Sequence, residues 1–398
     1  MKIVIAPDSF KGSASSSDIA TWIEAGIHSI IPTCEIVKIA IGDGGEGSLD
    51  AIVDSGFTAF TCEVIGPLGN PVSAQIAIKG ETAFIEMAQA SGLSQLPGGV
   101  KSPLDASSFG TGQLILHALD KGARHIILAV GGSATTDAGA GALQALGARL
   151  TDGNGNEIAR GGGALIDCAS IDLTHLDTRL ADISFILASD VQNPLLGSHG
   201  AAHVFSPQKG ASPEQVELLE KSLTHFASLV GGDCADRAGA GAAGGFGFMA
   251  YAFLRATAAS GIDVILDLVD FDARSTGADY MITGEGRFDS QSLRGCNPKP
   301  GLAFGNTKVD AVVPDVVVLP DGDGWRVELN GAAFPKLLAQ PLAFGGSGRG
   351  ARCQGERCWV PRAEEGGAGG GGGTGAGAGG AGTTVTQRRP VVSIRSFW

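Results

Sequence analysis

Repeatedly in its first 293 residues, the chain runs through a short apolar stretch, stops at a cluster of glycines and acids, and continues as a helix former. That order constrains the fold more than any other feature. Residues 2–6 lead into Pro7-Asp8-Ser9, 36–41 into Gly42-Asp43-Gly44-Gly45-Glu46-Gly47, and 125–130 into Gly131-Gly132-Ser133. Residues 183–188 lead into Ser189-Asp190, and 279–283 into Gly284-Glu285-Gly286. Strand, polar loop and helix in this order build open α/β sheets, which bind ligands at the carboxyl ends of their strands. Ser15 and Asp18 make a capping-box pattern ahead of Ile19, Trp22, Ile23, Ile27 and Ile30, which recur at helical spacing until Pro32. A βαβ unit within the first 41 residues follows. Close-set β runs at 60–65, 72–78 and 82–87 predict hairpins or a mixed sheet. Helices are expected over 108–120, 138–147, 242–254 and, behind Pro213, 213–228.

The pattern fails near residue 294. Residues 1–293 hold 16 basic and 33 acidic side chains, whereas 294–398 hold 12 basic and 8 acidic. Three of the four tryptophans, Trp325, Trp359 and Trp398, lie in the later part. Residues 366–382 are 12 glycines, 4 alanines and one threonine, a composition that gains nothing on burial and costs the most to order. Residues 340–398 are therefore expected to be disordered. Val309–Val313 and Val316–Leu319 could pair as makeshift strands, confined by Pro314 and Pro320.

A formal charge of -13 disfavours a nucleic-acid-binding surface, although carboxylates can meet phosphates through a divalent metal. There is no run of 18 apolar residues, and the N-terminus has too short an apolar stretch for a signal peptide. The expectation is a cytoplasmic protein with no membrane partner. The seven cysteines are scattered and lack a C-x₂-C pair, which argues against a zinc site or a disulfide framework; the first four are expected as buried thiols.

The chemistry concentrates in the loops. In Gly131-Gly132-Ser133-Ala134-Thr135-Thr136-Asp137-Ala138-Gly139-Ala140-Gly141, glycine amides and the hydroxyls of Ser133, Thr135 and Thr136 could cradle phosphate, with Asp137 as a metal ligand. A tight turn with close helix packing is the competing explanation. Asp43 and Glu46 sit among four glycines, and two close carboxylates tolerate each other best beside a cation. Glu285, Arg287 and Asp289 repeat the device and add a guanidinium able to clamp an oxyanion. Asp190 ends a strand with Asn193 three residues on, Lys209 lies in a loop, and Lys11 follows the first strand. Acids for Mg²⁺, amides and hydroxyls for phosphate, and a few cations suit phosphoryl transfer, whose demands are positioning and electrostatics.

Pro7-Asp8-Ser9-Phe10-Lys11, Ala40 to Gly47, Gly131 to Gly141, Pro207-Gln208-Lys209-Gly210-Ala211 and Thr283 to Gln291, in this order, resemble bacterial glycerate kinases of the first type over about residues 1–295. The resemblance implies ATP-dependent phosphorylation of D-glycerate, usually at the 2-hydroxyl, with ATP and Mg²⁺ as partners. It further implies a Rossmann-like domain assembled from both chain ends, here 1–65 and 271–320 and incomplete, with a mixed α/β domain inserted at 66–270; the composition of 321–398 marks it as an aberrant tail. Asp190, Asp43, Lys11 and Arg287 are the candidate catalytic groups, and Asp137, Asp190 and Glu285 the metal ligands. Gly131, Gly132, Ser133, Thr135, Thr136 and Gly139 would hold phosphate; Asp8, Ser9, Glu46, Asn193, Lys209 and Asp289 would line or support the substrate site. Which acid is base and which binds metal stays open. A kinase of another hydroxy acid, a glycerate 3-kinase and a non-catalytic remnant are the alternatives. From Cys296 onward the family pattern is lost, and the junction resembles translation in a shifted reading frame.

Overall fold

The computed structural model of the chain describes residues 1–10, 14–42, 44–45 and 47–285, together with four later strands. In chain order the strands are β1 (Lys2–Pro7), β2 (Glu35–Lys38), β3 (Thr58–Ile65), β4 (Pro71–Lys79), β5 (Thr82–Glu86), β6 (His125–Ala129), β7 (Arg149–Thr151) and β8 (Ser170–Asp172). They continue as β9 (Ser184–Ala188), β10 (Thr257–Ala259), β11 (Tyr280–Glu285), β12 (Val312–Asp321), β13 (Gly324–Leu329), β14 (Leu342–Phe344) and β15 (Val391–Arg395). One sheet runs β14-β13-β12-β15-β11-β1-β2; the second runs β10-β9-β6-β5-β4-β3; β7 and β8 form a small ladder. In the first sheet β1 lies parallel between β2 and β11. In the second, β3, β4 and β5 are antiparallel neighbours, while β5, β6, β9 and β10 are parallel. The hairpins foreseen between 60 and 87 are thus the antiparallel edge of a mixed sheet.

Alternation along the strands assigns each face. Ile3 and Ile5 pack against helix Ser16–Ile30, whereas Val4 and Ala6 turn to the opposite side. On β5 and β6, Ala83, Ile85, Ile126 and Leu128 enter the large core beneath helices Phe109–Asp120 and Pro213–Val230. Phe84, Ile127 and Ala129 face the other way and join Val4 and Ala6. Helices Ser48–Asp54 and Gly261–Leu268 fill that shared layer through Leu49, Ile52, Val264 and Ile265. A continuous apolar layer therefore locks the two sheets together, and burial of roughly 1.5–3 kcal/mol per large side chain makes it a firm joint.

Local signals place most elements. The Ser15/Asp18 capping box forms, with Asp18 N donating to Ser15 Oγ at 3.1 Å and Ser15 N to Asp18 Oδ2 at 3.4 Å. Pro213 stands in the first turn of its helix, behind a second capping box of Ser212 and Gln215. Helix Ala242–Ala252 departs from the expectation, since Ala243 (φ 52°), Gly244 (φ 68°) and Gly245 (φ 92°) are left-handed. The cause is close approach: a Cβ on Gly244 would run into the Thr135 carbonyl oxygen. Cys34, Cys62 and Cys168 are buried free thiols, and Cys234 is half-exposed.

β3 pairs along its whole length with β4, from Thr58↔Ile78 to Ile65↔Pro71, so the second sheet takes up the chain at 58. In the later segment, the two makeshift strands join into the single strand β12, with an irregularity between Pro314 and Val316. β14 and β15 fall within the stretch expected to be disordered; β15, rich in β-branched Val391, Val392 and Ile394, pairs in parallel with both β11 and β12. The Gly/Ala tract lies outside the described residues.

Candidate active site

The carboxyl ends of strands from both sheets meet at the joint between the domains. Asp8 follows β1; its N–H donates to the Gly284 carbonyl at 2.8 Å, and its Oδ1 accepts from Ser9 N at 2.7 Å. Asp8 is buried and Ser9 half-buried. Ser9 lies beside the glycine-rich acidic loop, for a Cβ on Gly47 would stand 3.3 Å from Ser9 Oγ. Within that loop Gly44 N donates to Ser48 Oγ at 3.1 Å. Gly44 also reaches the other domain: its carbonyl accepts from Gly131 N at 3.2 Å, and a Cβ on it would be 3.4 Å from the Ala188 carbonyl oxygen and from Gly261 Cα. Gly131 must be glycine, because its Cβ would stand 2.5 Å from Gly45 Cα.

Asp190 completes the crevice. It leaves the end of β9 half-buried, and its Oδ1 accepts from Gly261 N at 3.2 Å at the start of helix Gly261–Leu268. That bond fixes the direction of the carboxylate. The loops of Asp8-Ser9, Gly44-Gly45-Gly47, Gly131-Gly132, Asp190 and the end of β11 at Glu285 are thereby gathered at one place. Lys11, Asp43, Glu46, Arg287 and Asp289 lie outside the described residues.

The glycine-rich loop divides into two parts. Gly132 is exposed, Gly131 half-buried, and everything from Ser133 to Gly141 buried. Asp137 is wholly buried, and four donors surround it: Ser108 N and Ser108 Oγ, each at 2.8 Å, Gly139 N at 3.1 Å and Gly141 N at 3.3 Å. Burial pushes its carboxyl up, and these hydrogen bonds pull it back toward the charged form. In this structure Asp137 braces the turn, and Gly139 gives its amide to Asp137. The left-handed φ of 72° at Gly139, with Met249 packed where a Cβ would go, is the packing reason for that glycine.

Lys209 is also buried, at 2 % exposure, and its Nζ donates to Ser133 Oγ at 2.9 Å and to the Thr135 carbonyl at 2.5 Å. Burial drives its pKa down to about 7, only partly opposed by the nearby Asp137 carboxylate. The hydroxyls of Thr135 and Thr136 are buried without a hydrogen-bond partner. These hydroxyls and the ammonium are sealed inside the fold, and of this loop only Gly132 is exposed. Asn193 serves the fold: its Nδ2 donates to the His199 carbonyl at 2.8 Å and its own carbonyl accepts from Gly241 N at 2.9 Å. Among the described residues no three metal-ligating side chains converge.

One residue of the site escaped the sequence reading. Glu86, the last residue of β5, is fully buried and accepts from Gly47 N at 3.1 Å and Leu49 N at 2.9 Å. Its one sequence signal is an acid on the strand face that otherwise carries Phe84.

Comparisons with known proteins identify the family. The family model described as "Glycerate kinase family" matches residues 3–303. A second model, "Sigma-54 factor, core binding domain", matches only 289–341, where few residues are described. The chain is 47% identical over 305 residues to the "Glycerate kinase" of Bacillus subtilis (strain 168) and equally to the "Glycerate 2-kinase" of Escherichia coli (strain K12), in each case over 75% of this chain and 80% of the relative. A solved structure, "Crystal structure of putative glycerate kinase 2 from Salmonella typhimurium LT2", is 50% identical with a TM-score of 0.68, covering 74% of this chain and 80% of that one. No helix among the described residues is long and apolar enough to cross a membrane. By sequence, fold and the order of its loops, this chain belongs to the glycerate kinase family of phosphotransferases.

Proposed function

We propose that this chain phosphorylates D-glycerate at its 2-hydroxyl with ATP as donor. The observation that carries the reading is the convergence of Asp190 with Gly44, Gly131 and Gly261 across the domain joint. The relative named for the 2-hydroxyl product supports the choice of position. Asp190 accepts the hydroxyl proton as the substrate oxygen bonds to the γ-phosphorus and ADP leaves, with Asp43 the second candidate. Lys11 and Arg287 neutralise the glycerate carboxylate or the transferring phosphoryl group. Gly131, Gly132 and Ser133 present donors to the phosphates, and Asp8, Ser9, Glu46 and Asp289 line or support the substrate pocket. A Mg²⁺ held by Asp190 or Glu285, when bound, supplies charge neutralisation on the phosphate oxygens. The cytoplasm is the proposed location.

An assay coupled to ADP release, with D-glycerate and competing hydroxy acids, tests the reading. Asp190→Asn is expected to lower kcat by at least about 100-fold, the range for loss of a general base. Turnover within threefold of the parent protein rules out the proposed base. A second reading, a nucleotide-binding remnant without turnover, is favoured by the fifth of each relative that has no counterpart here. Calorimetry showing binding of ATP with Mg²⁺, in a preparation that releases no ADP, selects it.

A further inference from the structure

We infer that Glu86 is a positioning residue of the site: the inserted domain, through this carboxylate, sets the conformation of the glycine-rich acidic loop that belongs to the other domain. Helix Ser48–Asp54 is only seven residues long and starts from Gly47, whose φ of 93° and missing side chain leave it without a local cap. Helices normally meet this need with Ser, Thr, Asp or Asn at the cap itself. Here none of those fits well, because the backbone at position 47 is left-handed and Ser9 closes the space where a side chain would begin. The cap comes instead from β5 of the second sheet, where Glu86 takes both Gly47 N and Leu49 N.

The placement is costly and specific. Glu86 points from the same strand face as Phe84 into the apolar layer between the sheets, and none of it is exposed. A carboxylate survives there only if strong donors surround it, and two backbone N–H groups at a helix start are such donors. A second tie acts on the same loop from the same domain, the bond from Gly131 N to the Gly44 carbonyl. Glu86 on one side and Gly131 on the other hold the stretch that carries Asp43 and Glu46 in the sequence. Gly44 and Gly47 are therefore tied by the second sheet in addition to the local bond from Gly44 N to Ser48 Oγ. Separation of the two sheets would uncap the helix and remove both outside ties in one step.

Hydrogen exchange on the full chain tests this without requiring turnover; only the activity arm rests on the kinase reading. In Glu86→Gln the side-chain amide turns a donor toward one of two backbone donors, so exchange at Gly47 and Leu49 should rise about tenfold, comparable to loss of a cap. The amides of β5 and β6 should keep their protection. Phe84→Leu serves as the control, since it loosens the same apolar layer without touching the loop. Where turnover is measurable, Glu86→Gln should lower kcat at least tenfold with KM for either substrate within threefold, while Phe84→Leu at matched thermal stability keeps kcat. Glu86→Asp, one methylene shorter with its charge kept, should show an intermediate rise in exchange; it replaces the glutamine variant if that one does not fold. Unchanged exchange at both amides, or an equal rise in Phe84→Leu, overturns the proposal. Absent turnover in the parent protein counts against the kinase reading alone.

Discussion

At the scale of single residues, the unusual groups are the buried charges. Lys209 stood in the sequence as a loop lysine, and nothing in Pro-Gln-Lys-Gly reports that its ammonium would be sealed against Ser133 and Thr135. Its pKa falls from 10.5 to about 7 through burial, which gives stability a signed dependence on pH. Below about 7 the lysine is protonated in both the folded and unfolded states, and the full cost of the buried charge persists. Between those values the unfolded chain binds more protons, so stability rises with pH. Urea titrations should therefore show the parent protein gaining on Lys209→Met by a few kcal/mol from pH 7 to pH 10. A difference that stays flat across that range removes the buried-ammonium account. Asp137 was similarly visible as an acid in a glycine-rich loop, but only the fold shows that Ser108, Gly139 and Gly141 already occupy it.

At the scale of elements, legibility followed the local signal. The capping boxes at Ser15 and Ser212, and the alternation on β5 and β6, are written in neighbouring residues, and those elements formed where the pattern placed them. Ala243-Gly244-Gly245 was unreadable, because its left-handed path is imposed by Thr135 and Ala138, more than a hundred positions away. The same contrast predicts unequal alanine substitutions. Gly122 has a left-handed φ of 88° and open space around it, so Gly122→Ala should cost only the conformational strain, about 1–2 kcal/mol. Gly244→Ala adds a clash with the Thr135 carbonyl and should cost at least 1–3 kcal/mol more in chemical denaturation. Equal losses for the two would mean that the 131–141 loop yields freely.

At the scale of the whole molecule, the family match ends at residue 303, and about a fifth of each relative has no counterpart in this chain. With the charge reversal beyond 293 and the Gly/Ala tract, this supports a shifted reading frame. Resequencing across codons 290–300 is expected to find a one-base discrepancy, and limited proteolysis with mass spectrometry to cut first within the Gly/Ala tract at 366–382. An intact frame with protease resistance to residue 398 overturns that account. The sequence by itself determined the α/β class, the βαβ start, the order of glycine and acid loops and the family. All of these are local or depend on order along the chain, and a strand followed by a loop and a helix reads the same before folding as after it. Only the tertiary structure decided which loops meet, that β3 belongs to the second sheet, that Ser108 and Gly139 donate to Asp137, and that Glu86 accepts from Gly47 and Leu49. Those outcomes depend on which donors and which volumes arrive beside a residue once two sheets close on a shared apolar layer, and no stretch of sequence contains its distant neighbours.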